Sequence, residues 1–227
     1  FCVYRQLRSI NPSPYLFYFD YGDFKIFGSS PEAQLVVNDK KAEIHPIAGT
    51  FKRTGDDLED SEKAIKLFKD DKENSEHMML VDLARNDLSR TCSNVKVEKD
   101  REIQFYSHVI HLVSKVTGEL KSYSRDIIGS TFPAGTLSGA PKHMAMKLIE
   151  KYEQHKRSFY GGAIGFIGFD NEFNHAIMIR SFLSKNQRLF LQAGAGVVSK
   201  SDPKNELQEV YNKIGALLKA LEKAEEI

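Results

Sequence analysis

Cysteine is nearly absent from the 227 residues: Cys2 and Cys92 are the only two, far apart and outside any Cys-x-x-Cys or Cys/His spacing. That excludes a disulfide framework and a zinc site, and predicts a reducing, cytoplasmic setting. An excess of one charge is missing too, with 32 Lys and Arg against 31 Asp and Glu. No basic cluster stands out, so the footprint of a nucleic-acid binder is lacking. No apolar run approaches the ~18 residues needed to cross a bilayer, and no membrane association is expected. Phe1-Cys2-Val3-Tyr4-Arg5 also lacks the basic, apolar, small-residue order of a secretory signal. Internal repeats, low-complexity tracts and linkers are absent. The chain has no initiating Met and opens in mid-pattern, which reads as a portion of a longer protein. What remains is 41% hydrophobic and 28% charged, a globular composition with ample length to bury a core.

The first fifty residues are rich in aromatic and β-branched residues, as in Tyr15-Leu16-Phe17-Tyr18-Phe19 and Phe24-Lys25-Ile26-Phe27, and read as antiparallel strands. From Asp56 to Arg90 the apolar spacing shifts towards 3.6, predicting two helices broken around Asp70-Asp71. Val95–Tyr106 and Val109–Val116 read as strands, and Arg125–Ser130 as a short helix. The Pro/Gly-rich stretch from Phe132 to Lys142 reads as a loop before a helix to about Gln154, with Pro141 in its first turn. Gly162–Phe169, Ala176–Leu183 and Leu189–Ala193 are expected as three more strands. Asp202-Pro203 supplies an N-cap and a first-turn proline for a helix running to the end. Short turns between strands favour mixed α/β (α+β) with mainly antiparallel sheets and packed helices over a doubly wound fold.

Several residues could carry chemistry. Glu73 and Glu76 lie three apart on one predicted helix, and Glu206, Glu209 and Lys213 repeat the pattern on the last. Carboxylates facing each other from two helices would suit Mg²⁺, which keeps waters and takes one or two carboxylates plus a substrate anion. A solvated helix face is the ordinary alternative. Gly161-Gly162 and Gly194-Ala195-Gly196 allow close backbone approach, either to an anion or in a tight turn. Neither they nor Gly135 to Gly139 form a nucleotide fingerprint. Arg180 ends an apolar strand run, where its guanidinium needs an anionic ligand or a buried acid. His108 and His111 lie on or beside a strand, where a structural role is usual. Glu32, after Ser-Ser-Pro, could serve as a general acid or cap a turn.

The order of eight segments along the chain resembles the chorismate-utilising enzymes, and within them the component I chains of anthranilate synthase. These segments are Asn11-Pro12-Ser13-Pro14-Tyr15, Gly28 to Glu32, Pro46 to Thr50, Glu76 to Leu88, Tyr106 to Val109, Phe132 to Lys142, Tyr160-Gly161-Gly162 and Gln192 to Val197. The resemblance implies a magnesium-dependent lyase of tryptophan biosynthesis, in which chorismate and ammonia give anthranilate and pyruvate. The ammonia would come from a glutamine amidotransferase subunit, component II, in a heteromer. It implies Glu76 and Glu209 as magnesium carboxylates, supported by Glu73 and Glu206. Tyr160, Arg180 and the amides around Gly194 and Gly196 would clamp the enolpyruvyl carboxylate, with Lys213 beside an acidic or anionic group. Gly49, Thr50 and Thr136 would line the ring site. Glu32 would protonate the departing hydroxyl, and His108 would sit beside the ring. Pro14, Tyr15 and Leu16 match one wall of a tryptophan feedback site.

Relatives in the family run other reactions. Aminodeoxychorismate synthases commonly carry a lysine where this chain has Ala48, which cannot form their covalent adduct. Isochorismate and salicylate synthases use a lysine base from a segment upstream of Phe1. Family chains are longer, so residues 1–227 would be a chorismate-binding domain from the C-terminal portion, within a large two-sheet sandwich. A module that binds tryptophan or docks the amidotransferase without turnover is the non-catalytic alternative.

Overall fold

The computed structural model describes residues 1–105, 109–121, 124–199 and 201–226. In chain order the elements are α1 (Cys2–Ile10), β1 (Tyr15–Asp20), β2 (Phe24–Ser30), β3 (Ala33–Asn38), β4 (Lys41–Ile44), β5 (Ile47–Lys52), α2 (Asp57–Lys69), α3 (Asp71–Ser89), β6 (Cys92–Phe105) and β7 (Val109–Leu120). They continue with α4 (Ser124–Thr131), α5 (Gly135–Ser138), α6 (Lys142–Tyr152), β8 (Ala163–Ile167), β9 (Phe173–Ile177), β10 (Ser181–Lys185), β11 (Arg188–Phe190) and α7 (Pro203–Glu225). The result is the expected mixture of helices and antiparallel sheet. No helix among the described residues is long and apolar enough to cross a membrane.

The chain divides into two compact units. The first comprises residues 1–32, 152–164 and 176–227. Its sheet runs β1-β2-β10-β11, antiparallel throughout. Helices α1 and α7 pack on each other, joining Leu7 to Phe27, Phe182, Leu217 and Ala220 in one core. Helix α1 corrects the expectation of strands in this region. Val3, Tyr4, Leu7 and Ile10 recur at helical spacing and all join that core, so tertiary burial overrides the β propensity of Val and Tyr.

The second unit comprises residues 33–151 and 165–175. Its sheet runs β5-β7-β4-β3-β9-β8, with β6 also paired to β7. Helix α3 lays Val81, Ala84 and Leu88 on Leu35, Val37, Ala42 and Val116, and α2 lays Ala64 and Leu67 on Ile110 and Leu112. The break between these helices is a cap: the Asp70 carboxylate accepts the Glu73 N–H at 2.9 Å. Asp56 caps α2 and Asp202 caps α7 in the same way.

Three strand expectations need correction. Ala176–Leu183 is the end of β9 and the start of β10, separated by a corner at Met178–Arg180 where Arg180 has φ +50°. The apolar run hides this corner because both sides of it are buried. Gly162–Phe169 shortens to β8, since the Gly168 N–H turns back to the Glu172 carbonyl at 2.7 Å. Leu189–Ala193 shortens to the three-residue β11, and the loop from Phe132 to Lys142 contains the short α5.

Asp60 ties α2 to the chain leaving β5. Its buried carboxylate accepts from Arg53 Nε at 2.8 Å and from the Thr54 N–H and hydroxyl at 2.8 and 3.0 Å. The Arg53 bond first, then the Thr54 N–H, hold its pKa down at about 2. A carboxylate depressed in the folded state adds stability at pH values above its unfolded pKa, and that stability is lost as pH falls through the folded value. Asp60→Asn is therefore expected to lower Tm at pH 7. Thermal melts should show the gap to wild type closing between about pH 4 and pH 2. A gap independent of pH would contradict this role.

Candidate functional site

In the second unit, helix α3 organises the candidate residues. Glu73, Glu76, Leu80, Leu83 and Asp87 follow at intervals of three and four, so they form one stripe. Leu80 and Leu83 receive the loop that carries Thr136: a Cβ added to Gly135 would collide with Leu83 Cδ2, so any larger residue there would have to displace the Leu83 side chain. Asp87 fixes the far end of the loop. Its buried carboxylate meets Lys142 Nζ at 2.6 Å, and the same ammonium donates to the Thr131 carbonyl at 2.6 Å. Burial pushes the Asp87 carboxyl up, opposed by the Lys142 hydrogen bond. Thr136 is thus held on the face of α3 that carries Glu76.

Gly49 lies on the neighbouring strand. Between Ala48, opposite Leu112, and Thr50, opposite His111, it is an extra residue, a β-bulge with φ +67°. A Cβ there would stand 2.5 Å from Leu67 Cδ1 and 3.1 Å from Glu73 Oε2, which puts the Glu73 carboxylate against the bulge. The Gly49 carbonyl accepts a bond of 2.9 Å from His111 Nδ1. A carbonyl only accepts, so that nitrogen carries the ring proton. The Thr50 side chain and His108 lie outside the described residues.

In the first unit, Tyr160, Gly194, Lys213 and Glu209 form a chain of contacts. The Tyr160 hydroxyl bonds the Gly194 backbone, with burial raising its pKa. A Cβ at Gly194 would stand 3.3 Å from Tyr160 Oη. Lys213 Nζ donates to the Gly194 carbonyl at 3.0 Å and pairs with Glu209 at 2.6 Å. Glu206 is half-buried one turn earlier on α7, and Gly196 is exposed. Arg180 is half-buried at the β9–β10 corner, where burial lowers its pKa and the nearby Glu32 charge opposes that. Glu32 follows β2, its carbonyl accepting the Ile177 N–H at 3.0 Å. Pro14, Tyr15 and Leu16 enter β1 beside it: Ser29 Oγ donates to the Asn11 carbonyl at 2.5 Å, and Tyr15 and Leu16 register with Ser30 and Ser29.

Each unit therefore gathers its own share of the candidate residues. Among the described residues no three His, Cys, Asp or Glu side chains converge as a complete metal cage. The hard carboxylate oxygens of Glu73 and Glu76 on one face of α3 still suit Mg²⁺, which needs only one or two protein carboxylates. Two features escaped the sequence. The Asp87–Lys142 clamp had a trace there, an acid placed on the apolar stripe of an amphipathic helix. The His111 bond to Gly49 had none, because it depends on the bulge.

The chorismate binding enzyme family matches residues 1–219. Over 228 residues the chain is 50% identical to "Anthranilate synthase component 1" of Neisseria gonorrhoeae, covering 99% of this chain and 46% of that protein. The crystal structure of anthranilate synthase component I from Streptococcus pneumoniae superposes with TM-score 0.86 at 42% identity, covering 95% of this chain and 48% of that one. The menaquinone-specific isochorismate synthase of Escherichia coli superposes with TM-score 0.89 at 27% identity, covering 97% of this chain and 51% of that one. The chain spans about half the length of the curated relatives it matches.

The clamp on the Thr136 loop is testable by stability. Lys142→Met strands the buried Asp87 carboxylate and is expected to cost about 3–5 kcal/mol in urea unfolding. Adding Asp87→Leu should recover most of that loss. A double variant no more stable than the single one would show that the pair is not the anchor.

Proposed function

Because the chain belongs to the chorismate binding enzymes, we propose that it is the chorismate-binding portion of an anthranilate synthase component I. The observation that carries this reading is the gathering of Glu73, Glu76, the Gly49 bulge and the Thr136 loop about one face of α3, in a chain 50% identical to a protein of that name. In the reaction, ammonia adds at C2 of chorismate as the C4 hydroxyl departs as water. The C2 proton and the enolpyruvyl ether bond are then lost, and pyruvate leaves behind anthranilate. Glu32 is the acid for the departing hydroxyl, and His108 stands beside the ring. Gly49, Thr50 and Thr136 line the ring site.

The enolpyruvyl carboxylate falls to Tyr160, Arg180, Gly194 and Gly196. A guanidinium grips a carboxylate in a bidentate fork, and its burial strengthens that grip. Lys213 holds the Gly194 carbonyl and so fixes the amides near it. Glu76 and Glu209, with Glu73 and Glu206, would hold Mg²⁺, whose contribution is to neutralise the ring carboxylate. The "component 1" of the relatives' names supports a second subunit, a glutamine amidotransferase supplying ammonia. Pro14, Tyr15 and Leu16 offer one wall for tryptophan as feedback inhibitor.

Ala48 favours this reading over aminodeoxychorismate synthesis, because a methyl group cannot attack the ring. The full-length protein with chorismate, Mg²⁺ and ammonium at alkaline pH is expected to yield fluorescent anthranilate. Isochorismate, a non-aromatic aminated product, or binding without turnover would refute the assignment. Glu209→Gln should lose far more magnesium-dependent activity than Glu222→Gln near the chain end; equal effects would remove Glu209 from the metal site. Arg180→Lys is expected to raise KM for chorismate by ~10-fold, since a point charge replaces a fork. An unchanged KM would place the enolpyruvyl carboxylate elsewhere.

A further inference from the structure

The turns of α3 that carry Glu73 and Glu76 are tied to the end of α2 by Asn74, whose Nδ2 donates to the Phe68 and Asp70 carbonyls at 2.7 and 2.8 Å, but they have no buried apolar anchor among the described residues. Along Asp71 to Met79, His77 is the only fully buried side chain among the described residues, and the apolar anchors Leu80 and Val81 begin only afterwards. The imidazole is 0% exposed, and its Nε2 shares a hydrogen bond of 2.6 Å with Ser114 Oγ on β7. Ser114 is itself fully buried and occupies a distinctive place in the sheet. Opposite it, Asp100 and Arg101 form a two-against-one bulge in β6, with Arg101 at φ +48°. The Arg101 N–H leaves the ladder and donates to Ser114 Oγ at 2.9 Å. On the other side, the Ser114 N–H donates to the Pro46 carbonyl at 3.1 Å, just before β5. One hydroxyl therefore joins the β6 bulge to the helix, from a residue also bonded to the chain entering β5.

We propose that His77 is a positioning residue, which through Ser114 fixes the turn carrying Glu73 and Glu76 at the bulged centre of the sheet so that both carboxylates are set for a divalent cation. This rests on the reading of Glu73 and Glu76 as magnesium carboxylates. Stability alone does not account for the histidine. Its Nδ1 is buried without a partner among the described residues, and a half-satisfied ring is worse for stability than an aliphatic side chain of similar volume. What leucine cannot supply is a directed bond to Ser114. Groups bonded directly to a metal ligand commonly govern affinity by 10- to 100-fold; His77 acts on the adjoining Glu76 through the shared backbone of the turn, so the lower end of that range is expected.

The test uses the full-length protein with Mn²⁺ as a paramagnetic probe that Mg²⁺ displaces. His77→Leu is expected to weaken Mn²⁺ binding by ~10-fold while keeping Tm near wild type. The Mg²⁺ concentration for half-maximal turnover should rise in step, with kcat at saturating Mg²⁺ retained. His77→Gln, whose amide can meet Ser114, should restore most of the affinity. Ser114→Ala, cutting the bond from the strand side, should weaken binding as His77→Leu does. Wild-type affinity in His77→Leu, failure of His77→Gln to rescue, or an affinity loss that tracks Tm across the variants would overturn the proposal. Absence of Mg²⁺-displaceable Mn²⁺ binding in the wild type would instead overturn the carboxylate assignment beneath it, and this proposal with it.

Discussion

Helix α3 must bury one face in an apolar core while keeping acidic side chains on the face beside it. Val81, Ala84 and Leu88 provide the burial, and the Glu73, Glu76, Leu80, Leu83 and Asp87 stripe runs alongside. A 3.6-residue period permits both because adjoining faces share the same rigid rod. Everything gathered in the second unit takes its position from that rod. The Thr136 loop rests on Leu80 and Leu83 and is pinned at Asp87; the Gly49 bulge lies against Glu73.

What the sequence disclosed depended on range. Helix ends were legible because caps are local: Asp56, Asp70 and Asp202 each bond an N–H two or three residues away. Helix α1 was hidden because its Val and Tyr favour strand locally, and only packing with Leu217 and Ala220 decides otherwise. The Met178–Arg180 corner was hidden because buried residues on both sides of a bend look like one buried strand. In the site, the candidate residues came from colinear motifs and a family resemblance. Their supports did not, because Asp87 and Lys142 or Gly49 and His111 meet only after the chain has folded.

The scaffold does not choose the reaction. An isochorismate synthase at 27% identity shares it with TM-score 0.89, against 0.86 for an anthranilate synthase component I at 42% identity. A shared fold leaves the chemistry to the side chains placed on it. What separates reactions on one scaffold falls to a few side chains, of which Ala48 is informative for the lysine adduct chemistry that a methyl group is unable to do.

The bulge on β5 carries a different lesson. The oxygen that meets His111 belongs to the main chain, and the room occupied by Leu67 and Glu73 is room that position 49 leaves empty. An important member of this cluster thus contributes an absence: there is nothing to delete, and the smallest addition, one methyl group, is already too much. Surveys that rank residues by the chemical groups they offer would pass over it, although its tolerance for change should be among the lowest in the chain.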